Sequence, residues 1–440
     1  MAFGGLDSLR AEIADLGVVH PVGRVFEVGK GTIEVSGLSR RAALGDRALI
    51  RSQAGRAIGA EVIGLRRGAV SLLADSAIDG VAIGDLVEVL GQSGIAPDNS
   101  WVGRIIDPFG RPLDGRPLLR GARELELRAT PPAAASRRRL GARVETGLSV
   151  FNTLLPLVRG QRIGLFAGSG VGKSSLLAKF ARGVEADVVV IALIGERGRE
   201  LREFVEKVLG PEGMARSVII AATSDQSPLV RRRCAWAAMC VAEYFRDRGQ
   251  HVLFLADSVT RFAEAHREVA LAGGEPPSLR GFPPSTAHQI MSLAERSGPG
   301  SEGAGDITAV FSVLVAGSDM DEPVADILRG TLDGHVVLDR TIAERGRFPA
   351  VDLLRSVSRS LPDAASAAEN ALIATARKLL GAYDRAEMMI QAGLYNGGSD
   401  PLIDRAIRAW AELDAFIARE EAEDTAASFA ALDAILRNSE

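Results

Sequence analysis

A glycine-rich segment in the middle of the chain has the residue types and spacing of a phosphate-binding loop. Residues 167–174 read Ala-Gly-Ser-Gly-Val-Gly-Lys-Ser, between an apolar run at Arg162–Phe166 and a helical pattern at Ser175–Arg182. Glycines let backbone N–H groups close around phosphates, and the next helix points its positive end at them. The predicted nucleotide-binding residues are Gly168, Ser169, Gly170, Val171, Gly172, Lys173, Ser174 and Ser175.

Two side chains of this loop carry specific roles. Lys173 can reach the β- and γ-phosphates of a nucleotide, and the Ser174 hydroxyl can ligate Mg²⁺. The first position of the motif is Ala167 instead of glycine. A methyl group is tolerated there if the backbone does not need a positive φ. A chance glycine-rich turn is the alternative, and the strand–loop–helix context disfavours it.

Two carboxylates follow later apolar strands. The run His251–Ala256 leads into Asp257, and Val188–Ile194 leads into Gly195 and Glu196. An Asp at the first position suits a water-mediated hold on Mg²⁺. Because ligands of open α/β sheets bind beyond the C-terminal ends of the strands, Glu196 is placed to polarise an attacking water. The alternative for Glu196 is a carboxylate that only favours a helix N-terminus.

The elements around these residues alternate between apolar strands and helical stretches from residue 160 to about 350. This alternation predicts a parallel sheet in an α/β domain. The predicted strands are Arg162–Phe166, Val188–Ile194, Ser217–Ala221, Val252–Ala256 and Ile307–Val315.

Residues 20–92 contain six short β-rich runs and predict a small closed barrel. Gly45-Asp46 and Gly84-Asp85 each precede a strand, which indicates one kind of turn used twice. Residues 21–90 hold nine Lys or Arg, eight Asp or Glu, and Phe26 as the single aromatic, a poor platform for RNA. The predicted barrel strands are Val22–Val28, Thr32–Val35, Ala48–Arg51, Ala60–Leu65, Val70–Leu73 and Leu86–Leu90.

The remaining segments have distinct compositions. Residues 93–135 are rich in proline and predict an extended connector. The tail from about 363 is rich in Ala, Leu, Arg and Glu and predicts a helical bundle with a break at Gly397-Gly398. Residues 1–19 predict an amphipathic helix that either packs on its own domain or docks a partner. Its apolar stripe is Phe3, Leu6, Leu9, Ile13 and Leu16.

Composition excludes several classes of protein. The chain has 440 residues and a net charge of −4, so no overall basic field indicates nucleic acid or an anionic membrane. The longest apolar stretch, Ile307–Ala316, is too short to span a bilayer. Cys234 and Cys240 match no metal motif, and the five histidines are scattered. The N-terminus lacks the pattern of a secretory signal, and we expect a cytoplasmic protein.

Residues 160–174 resemble the phosphate loop of the flagellar protein-export ATPases, which also carry alanine at the position of Ala167. The resemblance runs from about residue 20 to the end, with its motifs in the same order. More distant relatives are the injectisome ATPases of type III secretion and the F-type and V-type rotary ATPase subunits. The other matching segments are residues 195–200, 255–263, 280–285, 332–335 and 356–359.

The resemblance implies an ATP hydrolase with a RecA-like P-loop core. It implies a barrel at 20–92, an ATP-binding domain with its connector at 93–362, and a helical domain at 363–440. The implied cofactors are ATP and Mg²⁺. The implied partners are copies of the chain in a ring of six, a stator-like regulatory protein at the N-terminal helix, an export-gate membrane protein, a central-stalk protein, and export substrates with their chaperones. The implied location is the cytoplasm, peripheral to the inner membrane.

The resemblance also assigns residues. Lys173, Glu196, Arg197 and Arg359 form the implied catalytic set, in which Arg359 is an arginine finger that reaches a neighbouring subunit. Phe348 falls where relatives stack an aromatic ring on adenine, and Tyr395 is a candidate second wall. Ser174 and Asp257 fall on the Mg²⁺ positions.

A chain with both Glu196 and Arg359 can build every site of a ring from copies of itself, which favours a homohexamer. The alternatives are an injectisome ATPase, a rotary ATP synthase subunit, an RNA translocase like the transcription-termination helicase, and a ring subunit that binds nucleotide without hydrolysis. The presence of Glu196 disfavours the last alternative, because such subunits lack the glutamate.

Overall fold

The computed structural model describes residues 13, 19–29, 31–53, 55–315, 320–421 and 423–440. The predicted N-terminal helix lies outside these residues, apart from Ile13 and Val19. The described residues build a barrel, a central sheet flanked by helices, and a C-terminal group of helices. The predicted fold class is confirmed.

The barrel closes in the order β1-β2-β5-β4-β3-β6, which leaves no free edge. Its strands alternate inward and outward residues, as in Thr32–Ser36, where Ile33 and Val35 are buried. The two Gly-Asp turns share one geometry, because Asp46 and Asp85 each accept a 2.8 Å hydrogen bond from the N–H three residues earlier. The strands are β1 Val22–Gly29, β2 Thr32–Ser36, β3 Arg47–Arg51, β4 Ala57–Arg66, β5 Ala69–Ala74 and β6 Leu86–Gly91.

The central sheet has the order β15-β14-β8-β13-β11-β9-β10-β7, and β12 pairs with β13. The pairs β14–β15 and β12–β13 are antiparallel, and the other pairs are parallel. The strands are β7 Arg104–Ile106, β8 Arg162–Ala167, β9 Val188–Glu196, β10 Ser217–Thr223, β11 His251–Asp257, β12 Gly298–Pro299, β13 Asp306–Leu314, β14 Gly334–Leu338 and β15 Val351–Ser358.

Helices cover the sheet and continue into the C-terminal part. The residues Phe204–Leu209 form a π-helical segment between two of them. The α-helices are α1 Ser149–Asn152, α2 Lys173–Gly183, α3 Gly198–Glu203, α4 Gly210–Ala215, α5 Pro228–Arg246, α6 Val259–Ala272, α7 Ser285–Glu295, α8 Pro323–Thr331, α9 Arg340–Glu344, α10 Ala367–Gln391, α11 Pro401–Ala418 and α12 Thr425–Asn438.

Four strands of the sheet were not predicted from the sequence, and one of them is the two-residue strand Gly298–Pro299. Arg104–Ile106 pairs with β10 inside the segment that was expected to be an extended connector. Three residues among prolines are too few to show a period. Gly334–Leu338 and Val351–Ser358 were also not predicted as strands. Val351–Ser358 is an edge strand with several exposed residues, and it lacks the continuous apolar run of a strand covered on both faces.

The C-terminal helices share one apolar core with the nucleotide-binding sheet. Leu379 of α10, Leu413 of α11 and Leu432 of α12 belong to the same cluster as Leu165 of β8. The break between α10 and α11 falls at residues 392–400, around the predicted Gly397-Gly398. The C-terminal helices are therefore held to the sheet by close packing.

Candidate active site

The phosphate loop connects the end of β8 to the start of α2. Gly170 and Gly172 have φ angles of 77° and 86°, a left-handed conformation that favours glycine. Arg280 is the only non-glycine residue in the described ranges with a positive φ, so Ala167 does not need one. Ser174 and Ser175 are exposed at the first turn of α2. The loop thus leaves the N-terminus of α2 open for an anion.

Lys173 and Asp257 form an ion pair at the base of the loop. Asp257 is the last residue of β11 and is buried, and its Oδ1 also accepts a 2.9 Å hydrogen bond from the Ser312 hydroxyl of β13. A buried carboxylate needs such partners, because an unpaired charge is costly away from water. The pair fixes the carboxylate of Asp257 beside the phosphate loop.

Glu196 ends β9 in a pocket of about 210 Å³ that also contains Ser174 and Asp257. Burial and the negative charge of Asp257 together raise the pKa of Glu196 to about 7, although the positive charge of Lys173 acts in the opposite direction. A side-chain hydrogen bond that protonated Glu196 donates to the Glu200 carboxylate also raises the pKa. The site therefore holds a carboxyl group that can exchange a proton near neutral pH.

The rest of the pocket is formed by β9, α3 and the π-helical segment. The lining residues beyond the three named above are Leu193, Glu200, Leu201, Glu203, Phe204 and Val208. π-Helical segments are rare and frequently accompany functional sites.

Phe348 lies against the phosphate loop. A Cβ atom on Gly172 would be 3.0 Å from Cδ1 of the Phe348 ring, so the ring occupies the space that a side chain at position 172 would need. The ring is 47% exposed, which leaves apolar surface open beside the loop.

Arg359 is far from the phosphate loop of its own chain. It follows the end of β15, and its N–H bonds to the carbonyl of Asp333, next to the start of β8. The loop follows the opposite end of β8, five residues or about 16 Å further along the strand. The Arg359 side chain is exposed and donates a 3.2 Å hydrogen bond to the carbonyl of Arg329.

Two other predicted residues, Arg197 and Tyr395, do not line the pocket that contains Glu196. Arg197 is exposed and forms a 3.1 Å ion pair with Glu200. The Tyr395 hydroxyl lies 2.9 Å from a carboxylate oxygen of Asp404, and the residues around its pocket all belong to the segment 390–408. The role of Tyr395 as a second wall for the adenine ring stays a prediction, and the contacts of Tyr395 with its own segment do not support it.

Sequence reasoning missed Ser312 and Glu200 as parts of the site. Ser312 is a polar residue in a predominantly apolar strand that is buried from 306 to 313, and such a residue usually has a buried partner. Glu200 stands four residues after Glu196, and its contact with Glu196 depends on how α3 begins after the strand. The first residue had a usable signal in the sequence, and the second had none.

The comparisons with known proteins agree with this geometry. Residues 147–358 match the nucleotide-binding domain of the ATP synthase alpha/beta family, and residues 365–434 match the T3SS EscN ATPase C-terminal domain. A flagellum-specific ATP synthase of Caulobacter vibrioides is 43% identical over 98% of this chain and 100% of that protein. The chain belongs to the flagellum-specific ATP synthase family. The Salmonella typhimurium member is 41% identical over 98% of this chain and 97% of its own length.

Solved structures of injectisome ATPases are also similar to this member of the family. The assembled ATPase EscN from the enteropathogenic E. coli type III secretion system has a TM-score of 0.85 and is 36% identical over 94% of this chain and 100% of that chain. The same ATPase in complex with its central stalk EscO has a TM-score of 0.84 at 35% identity, with the same coverage. The resemblance seen in the sequence is confirmed, and the identities favour the flagellar group over the injectisome alternative.

The described ranges add two findings. Within them, no helix is long and apolar enough to cross a membrane. The same ranges hold no group of three or more His, Cys, Asp or Glu side chains that could bind a metal ion by themselves.

Proposed function

We propose that this chain hydrolyses ATP with Mg²⁺ in a flagellar type III protein export apparatus and couples turnover in a ring to the export of flagellar substrates. The observation that carries the proposal is the convergence of Lys173, Ser174, Asp257 and Glu196 on one side of the phosphate loop. Family membership supports the substrate and the apparatus.

In this proposal the backbone N–H groups of Gly168–Gly172 and the side chain of Lys173 hold the phosphates of ATP. Lys173 is paired with Asp257, and in this proposal the phosphate oxygens of ATP take the place of that carboxylate. Ser175, exposed beside Ser174, adds a donor at the helix N-terminus. The open apolar ring of Phe348 provides a surface on which an adenine ring can stack.

The residues present fit Mg²⁺ that arrives with the nucleotide. The Ser174 hydroxyl and one buried carboxylate, Asp257, are too few for a metal cage built by the protein alone, and Mg²⁺ is usually held by one or two carboxylates together with substrate phosphates. Such an ion neutralises charge that develops on the phosphoryl oxygens. Ser312 keeps the Asp257 carboxylate oriented.

Glu196 acts on the attacking water. Its carboxylate accepts a hydrogen bond from the water and takes up its proton, a task suited to a group with a pKa near neutral pH. Once Glu196 has taken up the proton, its carboxyl donates a hydrogen bond to Glu200, which stabilises the protonated form. Arg197 follows in the chain and, once released from Glu200, provides a charge at the pocket entrance.

Arg359 completes the site of a neighbouring copy. Its position about 16 Å along the sheet from its own phosphate loop supports a role in trans. Because the chain also carries Glu196, identical copies supply both parts, and we propose a homohexamer. The assembled state of the similar ATPase EscN supports assembly.

We also propose that the chain binds other proteins of the export apparatus. A central-stalk protein is supported by the complex of EscN with its central stalk EscO. A stator-like protein at residues 1–19, an export-gate membrane protein, and substrates with chaperones complete the proposal, with the ring peripheral to the inner membrane.

The test of catalysis uses the purified full chain. Lys173→Ala should abolish Mg²⁺-dependent ATP hydrolysis, and Glu196→Gln should retain ATP binding but stop turnover. Lys179→Ala is the matched control on the same helix, since Lys179 pairs with Glu420 outside the pocket. Wild-type kcat in Glu196→Gln would contradict the role of Glu196.

The test of the apparatus is genetic. A deletion strain should lose flagella and motility, and the wild-type gene should restore both where Lys173→Ala does not. Normal flagella together with loss of another secretion activity would favour the injectisome alternative.

A further inference from the structure

The segment that carries Phe348 is held by the C-terminal helices. Arg347, its neighbour, is almost buried, and its guanidinium donates 2.9 Å hydrogen bonds to the carbonyls of Pro349 and Val351. The side chain therefore folds back along the backbone on the C-terminal side of Phe348. Its remaining nitrogen, Nε, lies beside α11 and forms no hydrogen bond, so its contact with that helix is electrostatic.

That nitrogen forms an ion pair with the carboxylate of Asp414 on α11, at 3.0 Å. The Arg347 side chain is 9% exposed and that of Asp414 is 25% exposed, so water screens the pair only partly. Removing the carboxylate charge leaves a nearly buried guanidinium without its counter-ion, and such a group moves toward water.

The preceding residues have a second contact with the same helices. The Arg345 guanidinium lies 5.9 Å from the ring centroid of Trp410 on α11 and 3.7 Å from the carboxylate of Glu387 on α10. A groove of about 560 Å³ separates the segment from the two helices and provides room for it to shift.

We propose that Asp414 is a positioning residue for the nucleotide base: through Arg347 it holds Phe348 against Gly172, so that the C-terminal helices set the affinity for the adenine ring. The inference rests on the proposed stacking of adenine on Phe348. It adds a route by which a partner bound to the C-terminal helices changes nucleotide affinity, because coupling between two binding sites is reciprocal.

The test compares a ligand with a base and a ligand without one. Full-length wild type and Asp414→Asn are titrated by calorimetry with Mg²⁺-ADP and with Mg²⁺-pyrophosphate. The Kd for ADP should rise about three- to tenfold, in line with the contribution of an aromatic pair. The Kd for pyrophosphate should not change, since the phosphate loop is untouched. A general loss of structure would weaken both ligands.

Three variants make the result specific. Glu412→Gln removes the same charge from an exposed position of α11 and should leave both ligands unaffected. Asp414→Glu keeps the charge and should restore most of the ADP affinity. In the Phe348→Ala background, Asp414→Asn should have no further effect, because residues acting through one contact are not additive.

The outcomes separate the two proposals. Equal weakening of ADP and pyrophosphate, or no change in either, would overturn the role of Asp414. If Phe348→Ala itself left the ADP affinity unchanged, the stacking of adenine on Phe348 would be wrong and the role of Asp414 would fall with it, whereas the hydrolysis assays with Lys173→Ala would be unaffected.

Discussion

Replacement of Glu196 by glutamine should stabilise the nucleotide-free chain, and the gain should grow with pH. The carboxyl of Glu196 has its pKa raised from 4.5 to about 7 by burial and by the nearby charge of Asp257. Between these two values the folded chain keeps a proton that the unfolded chain has released. The stability of the wild type therefore falls as pH rises through this window, and the loss is complete above pH 7.

The size of the effect follows from the same numbers. One pKa unit corresponds to about 1.4 kcal/mol, so the full interval corresponds to about 3 kcal/mol. Because the carboxyl is partly exposed to solvent, screening reduces this to about 2 kcal/mol. Glutamine resembles the protonated form at every pH, and the variant should not follow this part of the pH dependence.

The assay is a thermal melt of wild type and Glu196→Gln without nucleotide from pH 5 to pH 8.5. The difference in Tm should be smallest at pH 5, about a quarter of its final value, and reach about 4–8 °C above pH 7.5, given about 2–4 °C per kcal/mol for a domain of this size. Glu203→Gln is the control, because Glu203 lines the same pocket but is exposed and paired with Lys207. A Tm difference that is constant with pH would refute the reasoning.

Three further predictions concern the ring, the loop and the N-terminus. Arg359→Ala should still bind nucleotide, but its kcat should fall by a factor of about 10³–10⁵, as in other NTPases that lose an arginine finger. Co-assembly of Arg359→Ala with Glu196→Gln should restore part of the ATPase rate. Mixed rings without recovery would contradict a site shared between subunits. Gly172→Ala should lower stability by about 1–2 kcal/mol through its left-handed φ, measured by denaturation, and weaken ADP binding by displacing Phe348. Deletion of residues 1–18, or the single change Leu6→Asp, should abolish binding of the stator-like partner in a pull-down and leave Tm unchanged. Retained binding with a lower Tm would show that the apolar stripe of residues 3–16 packs on its own domain.

The parts of the fold that repeat a local pattern could be predicted from the sequence. The six barrel strands are short β-rich runs, and Val188–Ile194 is a continuous apolar run. The phosphate loop is recognisable from its glycines, Lys173 and Ser174 between a strand and a helix. The edge strand Val351–Ser358 could not be found in this way, because an edge strand is half exposed and lacks a continuous apolar run.

The site could be predicted as a set of residue types but not as a geometry. Lys173 and Asp257 are 84 residues apart, and their ion pair depends on the order of strands in the sheet. The raised pKa of Glu196 depends on how α3 and the π-helical segment bury it. The link from Asp414 to Phe348 depends on the packing of α11, which no local pattern around either residue indicates.

The pairing of β7 with β10 sets an order of events during synthesis of the chain. The barrel can close once residue 91 is available, but β7 at 104–106 has to wait for β10, which begins about 110 residues later. At about 5–20 residues per second this is a delay of about 6–22 s. During that time Trp101, which is buried in the finished protein, has no sheet to pack against.

An ion pair that joins the barrel to the ATP-binding domain forms even later than the pairing of β7 with β10. Glu61 of β4 pairs at 2.7 Å with Arg232 of α5, a helix that follows β10 in the chain. A nascent chain that stalls before α5 would therefore display a folded barrel on a loose, proline-rich tether. The first unit to fold is therefore docked only after more than half of the chain has been made.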